Sequence, residues 1–175
     1  MNYAFIDSQN LILGMQRLGW KIDYKKLQVY LKEKYRVKKI YWFTGFLSKN
    51  CKLYEFLENT GYTLIFKPVS ISEGKIKGNC DGDMILQAMI DFNDYERAII
   101  ITSDGDFYSL VHHLYVNGKL EKVLSPYKKE CSWILKRVAR EKISFIDRAR
   151  DRLEYIPYSK KGSAERQNIQ MGPFI

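Results

Sequence analysis

The stretch AIIITSDGDF, residues 98–107, decides the fold. Four successive apolar residues read as a strand covered on both faces, because a strand with one wet face would alternate polar and apolar side chains. The run then stops at two acids separated by a glycine, Asp104 and Asp106, and a helix is expected from about Phe107 to Asn117. Moving outward, NYAFID at 2–7 has the same character: apolar, aromatic, without alternation and closed by an acid. Further strands are expected at 39–44 (KIYWFT), 62–67 (YTLIFK) and 122–124, and helices at 23–35, 49–59, 81–92 and 132–140. In the helix over 81–92 the apolar face is assigned to Met84, Ile85, Leu86, Met89 and Ile90, and 68–79 reads as a polar loop. Strands alternating with helices imply an α/β fold, a three-layer α/β/α sandwich built on a central parallel sheet.

The chain has 175 residues, the length of one domain with a sizeable core. Its formal charge of +9 is uneven: residues 1–118 carry 15 basic and 13 acidic side chains, whereas 119–175 carry 14 and 7. A surplus gathered in the last third suits a polyanionic partner. Three cysteines, Cys51, Cys80 and Cys131, form no CxxC pair and cannot close a disulfide framework, which suits a reducing compartment. MNYAFIDSQN lacks the basic start and long apolar stretch of a signal peptide, and no apolar run reaches the roughly 18 residues needed to span a bilayer. The expectation is a cytoplasmic protein without a membrane partner, organised as a domain over 1–155 followed by a C-terminal tail over 156–175.

In an open parallel sheet, ligands bind beyond the carboxyl ends of the strands. Asp7 closes the first strand, Asp104 and Asp106 follow the strand at 98–103, and Asp81 with Asp83 opens the helix after KGNC. Any one of these acids has an ordinary structural explanation as a helix cap or an Asx turn. Together they place carboxylates where this architecture would build a site. Two carboxylates about 5 Å apart repel by roughly 3 kcal/mol at an effective dielectric near 20, so convergence calls for a cation. Oxygen ligands without paired His or Cys favour Mg²⁺ or Mn²⁺, which activate water and stabilise charge on a phosphoryl group. Asp83 is the outlying member, since residues two apart on a helix point in nearly opposite directions.

Three motifs, in order, resemble a known family. FIDSQNL at 5–11, KGNCDGDMILQAM at 77–89 and TSDGDFYSLV at 102–111 are similar to the FIDGxNL, KGNxDxELxLxAM and SGDGDFxxLV segments of NYN domains, PIN-like ribonucleases of the LabA type. SxxL from Ser132 to Leu135 and ISFID at 143–147 resemble the family's closing helix and last strand. The resemblance covers about residues 1–155. It implies a PIN-like sandwich with strand order 3-2-1-4-5 and a divalent-metal site that hydrolyses RNA. Position by position, Asp7, Asp81, Asp104 and Asp106 match the metal-binding acids. Asn10 matches the Asn of the first motif, where it would orient a metal-bound water or a phosphate oxygen; as read from the residues alone, it is equally a helix cap. Two family glycines are serines in this chain, Ser8 and Ser103.

Basic residues supply candidates for the nucleic-acid backbone: Lys75 and Lys77 before Asp81, then Lys128, Lys129, Lys136, Arg137 and Arg140, with Lys142, Arg148 and Arg150 continuing the run. Tyr127 or Trp133 could stack a base, as suits single-stranded RNA; the apolar neighbours Ile134 and Val138 instead assign Trp133 to the core or an interface. The leading expectation is a metal-dependent endoribonuclease. The competing class is a catalytically weak or inactive nucleic-acid-binding regulatory module that keeps the fold. A homodimer fits either.

Overall fold

A computed structural model describes residues 1–68, 70–72, 75–77 and 80–157, the two short internal stretches as backbone. Eight strands and seven helices follow one another in chain order among the described residues. The strands are β1 (Asn2–Asp7), β2 (Val37–Gly45), β3 (Thr63–Lys67), β4 (Ser70–Ser72), β5 (Lys75–Lys77), β6 (Ala98–Ile101), β7 (Leu120–Ser125) and β8 (Ile143–Phe145). The helices are α1 (Ser8–Arg17), α2 (Tyr24–Tyr35), α3 (Cys51–Thr60), α4 (Asp81–Ile90), α5 (Tyr108–Val116), α6 (Trp133–Ala139) and the single turn α7 (Arg150–Leu153).

Six strands form one parallel sheet in the order β3-β2-β1-β6-β7-β8. Counting only these strands, the order is 3-2-1-4-5 extended by a sixth at the edge. The apolar runs are explained by two cores. Ala4, Ile6, Ile99 and Ile101 face the first, with Leu11 of α1, Leu27 and Leu31 of α2, and Leu57 of α3. Phe5, Ile100 and Val123 face the second, with Met84 of α4, Leu110 and Leu114 of α5, and Leu135 of α6. Successive side chains of a strand point to opposite faces, so only a strand buried on both sides makes every residue apolar. The result is a PIN-like three-layer sandwich.

One helix is added to the sequence reading and three expectations are corrected. The stretch after Asp7 folds at once into α1, with Asp7 as its cap: the Asp7 carboxylate accepts a 3.1 Å hydrogen bond from the Asn10 backbone N–H. The polar loop over 68–79 contains an antiparallel pair, β4 with β5. In α4, the buried stripe is Met84 and Ala88, one turn apart; Leu86, Met89 and Ile90 are exposed, because only one side of the helix meets the sheet. Trp133 is not in the core: α6 buries Leu135 and Ala139, and Trp133, on the far side of the helix, is 68% exposed. The expected tail lies, from residue 158 onward, outside the described residues.

Candidate metal centre

The sheet reverses direction of growth at its middle: β2 and β3 lie to one side of β1, β6 and its successors to the other. Here the carboxyl ends of β1 and β6 are side by side, with Ile6 paired to Ile101, so Asp7 and Thr102 are neighbours at the edge. The Thr102 hydroxyl donates to Asp7 Oδ2 at 3.0 Å and accepts from the Asp104 backbone N–H at 3.1 Å. Asp104 in turn caps the next turn, its Oδ1 accepting from the Asp106 N–H at 3.0 Å. Thr102, absent from the sequence-based candidates, is thus the link between the first acid and the second pair.

Asp81 arrives from α4, whose first turn is at the same edge. Asp81, Asp104 and Asp106 each bring one carboxylate oxygen into a group whose members lie within 4.8 Å of one another. Bonds of about 2.0–2.6 Å to a hard cation allow two of its ligands to be at most about 4–5 Å apart, so a single Mg²⁺ or Mn²⁺ fits this donor set. Asp7 sits behind the trio, with both of its oxygens accepting hydrogen bonds. Burial pushes its carboxyl up to about 6, the charges of Asp81 and Asp104 push the same way, and the Asn10 and Thr102 bonds oppose them. Negative potential therefore accumulates at this edge. Asp83 lies outside the trio and faces Lys67, whose ammonium is 3.7 Å from its Oδ2. The helical geometry that sends Asp81 toward the acids sends Asp83 away.

Asn10 is occupied with architecture: its Oδ1 accepts a 2.7 Å hydrogen bond from the Ser103 N–H, bracing α1 against the end of β6. Ser103, standing where the family pattern has glycine, turns its hydroxyl away from the acids to the Ser125 hydroxyl, 2.8 Å distant and buried. Its carbonyl accepts from the Ser132 N–H at 3.0 Å, which fixes the approach to α6. Gly105 permits a close approach at this junction, because a Cβ there would lie 2.6 Å from Ser132 Oγ and 3.1 Å from Ile134 Cγ2, which would have to shift. Beside the trio runs a groove of about 350 Å³ lined by Asn10, Arg17, Ser103, Asp104, Glu130 and Ser132, in which Arg17 and Glu130 form an ion pair.

The basic residues divide. Lys128, Lys129, Lys136 and Arg137 are exposed, the first two on the loop leaving the carboxyl end of β7. Arg140 is placed elsewhere. It has a left-handed φ of 50° and holds its guanidinium 5.1 Å from the Tyr115 ring centre, at the last turn of α5. Since α5 starts beside Asp106 and rises about 1.5 Å per residue, Arg140 is at the opposite edge of the sheet from the acids. Lys142, donating to the carbonyl of Leu120 at the start of β7, is there too. The side chains of Lys75 and Lys77 lie outside the described residues.

A PIN-like sandwich with clustered aspartates at the switch point of its sheet is the architecture of a nuclease class. Within that class, the chain belongs to the NYN domain family, whose model matches residues 3–147. A crystal structure of a protein of unknown function from Vibrio parahaemolyticus has the same fold, with a TM-score of 0.72 and 21% identity over 88% of this chain and 95% of that one. No curated relative matches the chain. Among the described residues, no helix is long and apolar enough to cross a membrane.

Proposed function

We propose that this chain is a divalent-metal-dependent endoribonuclease that hydrolyses phosphodiester bonds of single-stranded RNA. The observation that carries the reading is the convergence of Asp81, Asp104 and Asp106 within 4.8 Å at the carboxyl edge, with Asp7 held behind them by its bonds to Asn10 and Thr102. These three acids hold Mg²⁺ or Mn²⁺, which when bound supplies an activated water and charge stabilisation for the phosphoryl group. Asp7 positions: through Thr102 it fixes the backbone of Asp104, and its charge deepens the field that retains the cation. Asn10 holds α1 and the Ser103 loop in register with that arrangement. Lys128, Lys129, Lys136 and Arg137 bind the RNA backbone. Residues 1–155 form the catalytic unit, 156–175 a tail, and the three free cysteines suit the cytoplasm.

The test is cleavage of internally labelled single-stranded RNA in Mn²⁺ or Mg²⁺, beside the Asp104→Asn variant. Wild-type cleavage, abolished by EDTA and by the substitution, supports the reading. Cleavage that survives Asp104→Asn removes the proposed site. Tight RNA binding without cleavage by the wild type assigns the chain to nucleic-acid-binding regulatory modules instead.

A further inference from the structure

Trp133 is the one tryptophan of the chain that its own fold does not use. Trp20 is 6% and Trp42 1% exposed, each packed in the core, whereas Trp133 is 68% exposed at the first turn of α6. Rings elsewhere on the basic side are covered by cations: Arg140 lies over Tyr115, Arg148 over Phe145 and Arg150 over Trp20. Among the described residues nothing comparable covers Trp133. An exposed indole keeps 150–250 Å² of largely apolar surface in water, a free-energy cost that a partner removes.

Position and charge indicate which partner. Lys136 and Arg137 are three and four residues further along the same helix, so they share a face with Trp133, and both are exposed. The residue before it, Ser132, lines the groove that opens on Asp104, and its N–H is bonded to the carbonyl of Ser103 at the end of β6. A planar aromatic beside two cations, one residue from the groove leading to the acids, matches a single-stranded polynucleotide: the ring stacks a base while the cations take the flanking phosphates.

We infer that Trp133 is a base-stacking residue that seats an unpaired nucleotide next to the scissile phosphate, with Lys136 and Arg137 holding the backbone on either side of it. The inference rests on the ribonuclease reading for the identity of the strand. It makes Trp133 the determinant of the preference for unpaired over duplex RNA, because a duplex has no free base face to offer.

The buried positions of Trp20 and Trp42 make Trp133 its own reporter. The full chain is titrated with labelled eight-nucleotide oligoadenylate in EDTA, following tryptophan fluorescence and the anisotropy of the RNA together. Expected are quenching on binding by the wild type, little quenching by the same sequence as a duplex, and a roughly ten-fold weaker affinity for Trp133→Ala. Trp133→Phe keeps a ring, so its affinity stays within about two-fold of the wild type while the quenching disappears. Unchanged affinity in Trp133→Ala, binding without quenching, or no binding of the oligonucleotide overturns the inference. So does a dimer that becomes monomeric in Trp133→Ala with RNA affinity unaltered, which would make this face a self-association surface. Cleavage is scored separately in Mn²⁺. If cleavage persists with no role for Trp133, only the stacking inference fails; if the RNA quenches but is not cut, only the nuclease reading fails.

Discussion

The acids and the basic run of this chain behave in opposite ways. Asp81, Asp104 and Asp106 come from two separate segments, and Asp7 from a third far upstream, yet the topology gathers all of them at one edge of the sheet. The basic residues from Lys128 to Arg152 are nearly contiguous in sequence, and the fold scatters them. Arg140 and Lys142 go to the opposite edge, Arg150 pairs with Glu154 through two hydrogen bonds, and only Lys128, Lys129, Lys136 and Arg137 remain exposed on the loop and helix that follow the acidic edge. Proximity in sequence is a poor guide to a shared site when helices about 10 Å long carry neighbours to opposite ends of a sandwich. Attachment to a strand's carboxyl end is a better one.

The acidic half of this contrast breaks most severely with Asp104→Asn. The amide keeps an oxygen to cap the turn at Asp106, so the fold should persist, while removal of a charged metal ligand should lower cleavage by about a hundred-fold or more. Equal melting temperatures with and without the substitution, beside the fall in cleavage, check this. Gly105→Ala tests the junction between the acid loop and α6. A Cβ 2.6 Å from Ser132 Oγ and 3.1 Å from Ile134 Cγ2 must displace these side chains, and denaturant unfolding should show a drop in stability of about 1–3 kcal/mol.

Asp7 offers a test in pH. Its folded carboxyl, at about 6, binds its proton more tightly than the unfolded chain does, with an ordinary value near 4. The metal-free fold therefore loses stability from this group as pH rises from about 4 to 6, and above 6 the whole penalty, at most about 3 kcal/mol, is present. Asp7→Asn removes the ionisation and also weakens the bond to Thr102. In EDTA, the melting temperature of the variant relative to the wild type should rise between pH 4 and pH 7; a constant difference would show that Asp7 is not strained by its surroundings. The smallest effects sharpen the basic half. The Lys136→Ala/Arg137→Ala double variant should weaken RNA binding several-fold and flatten its salt dependence by about 0.7 in log–log slope for each phosphate no longer neutralised. Arg140→Ala, altering only the far edge, should leave both unchanged.

The parts of the fold legible in the sequence are those where burial leaves one reading. The middle of β1, Ala4 to Ile6, and all of β6 are apolar because both faces are covered there, and the acids at or just beyond their carboxyl ends stand out by contrast. α1 is hidden because it starts on the polar Ser8, Gln9 and Asn10 with no intervening turn. α4 is legible as a helix but not in its orientation: with Met84, Ile85, Leu86, Met89 and Ile90 all apolar, periodicity does not separate the buried stripe from the exposed one. The core half of the reading of Trp133 fails for the same reason, since the apolar stripe through Ile134 and Val138 extends to it on paper and not in space. Thr102 is invisible to spacing altogether, because its bond to Asp7 depends on the pairing of Ile6 with Ile101.

The central claim is that the gathered acids hold one divalent cation. Crystals of the full chain grown with Mn²⁺ and measured at the manganese absorption edge test it most directly. The account predicts an anomalous peak about 2.0–2.6 Å from carboxylate oxygens of Asp81, Asp104 and Asp106, absent from crystals of Asp104→Asn. Manganese bound elsewhere, or no peak between these three acids at millimolar Mn²⁺, would contradict it.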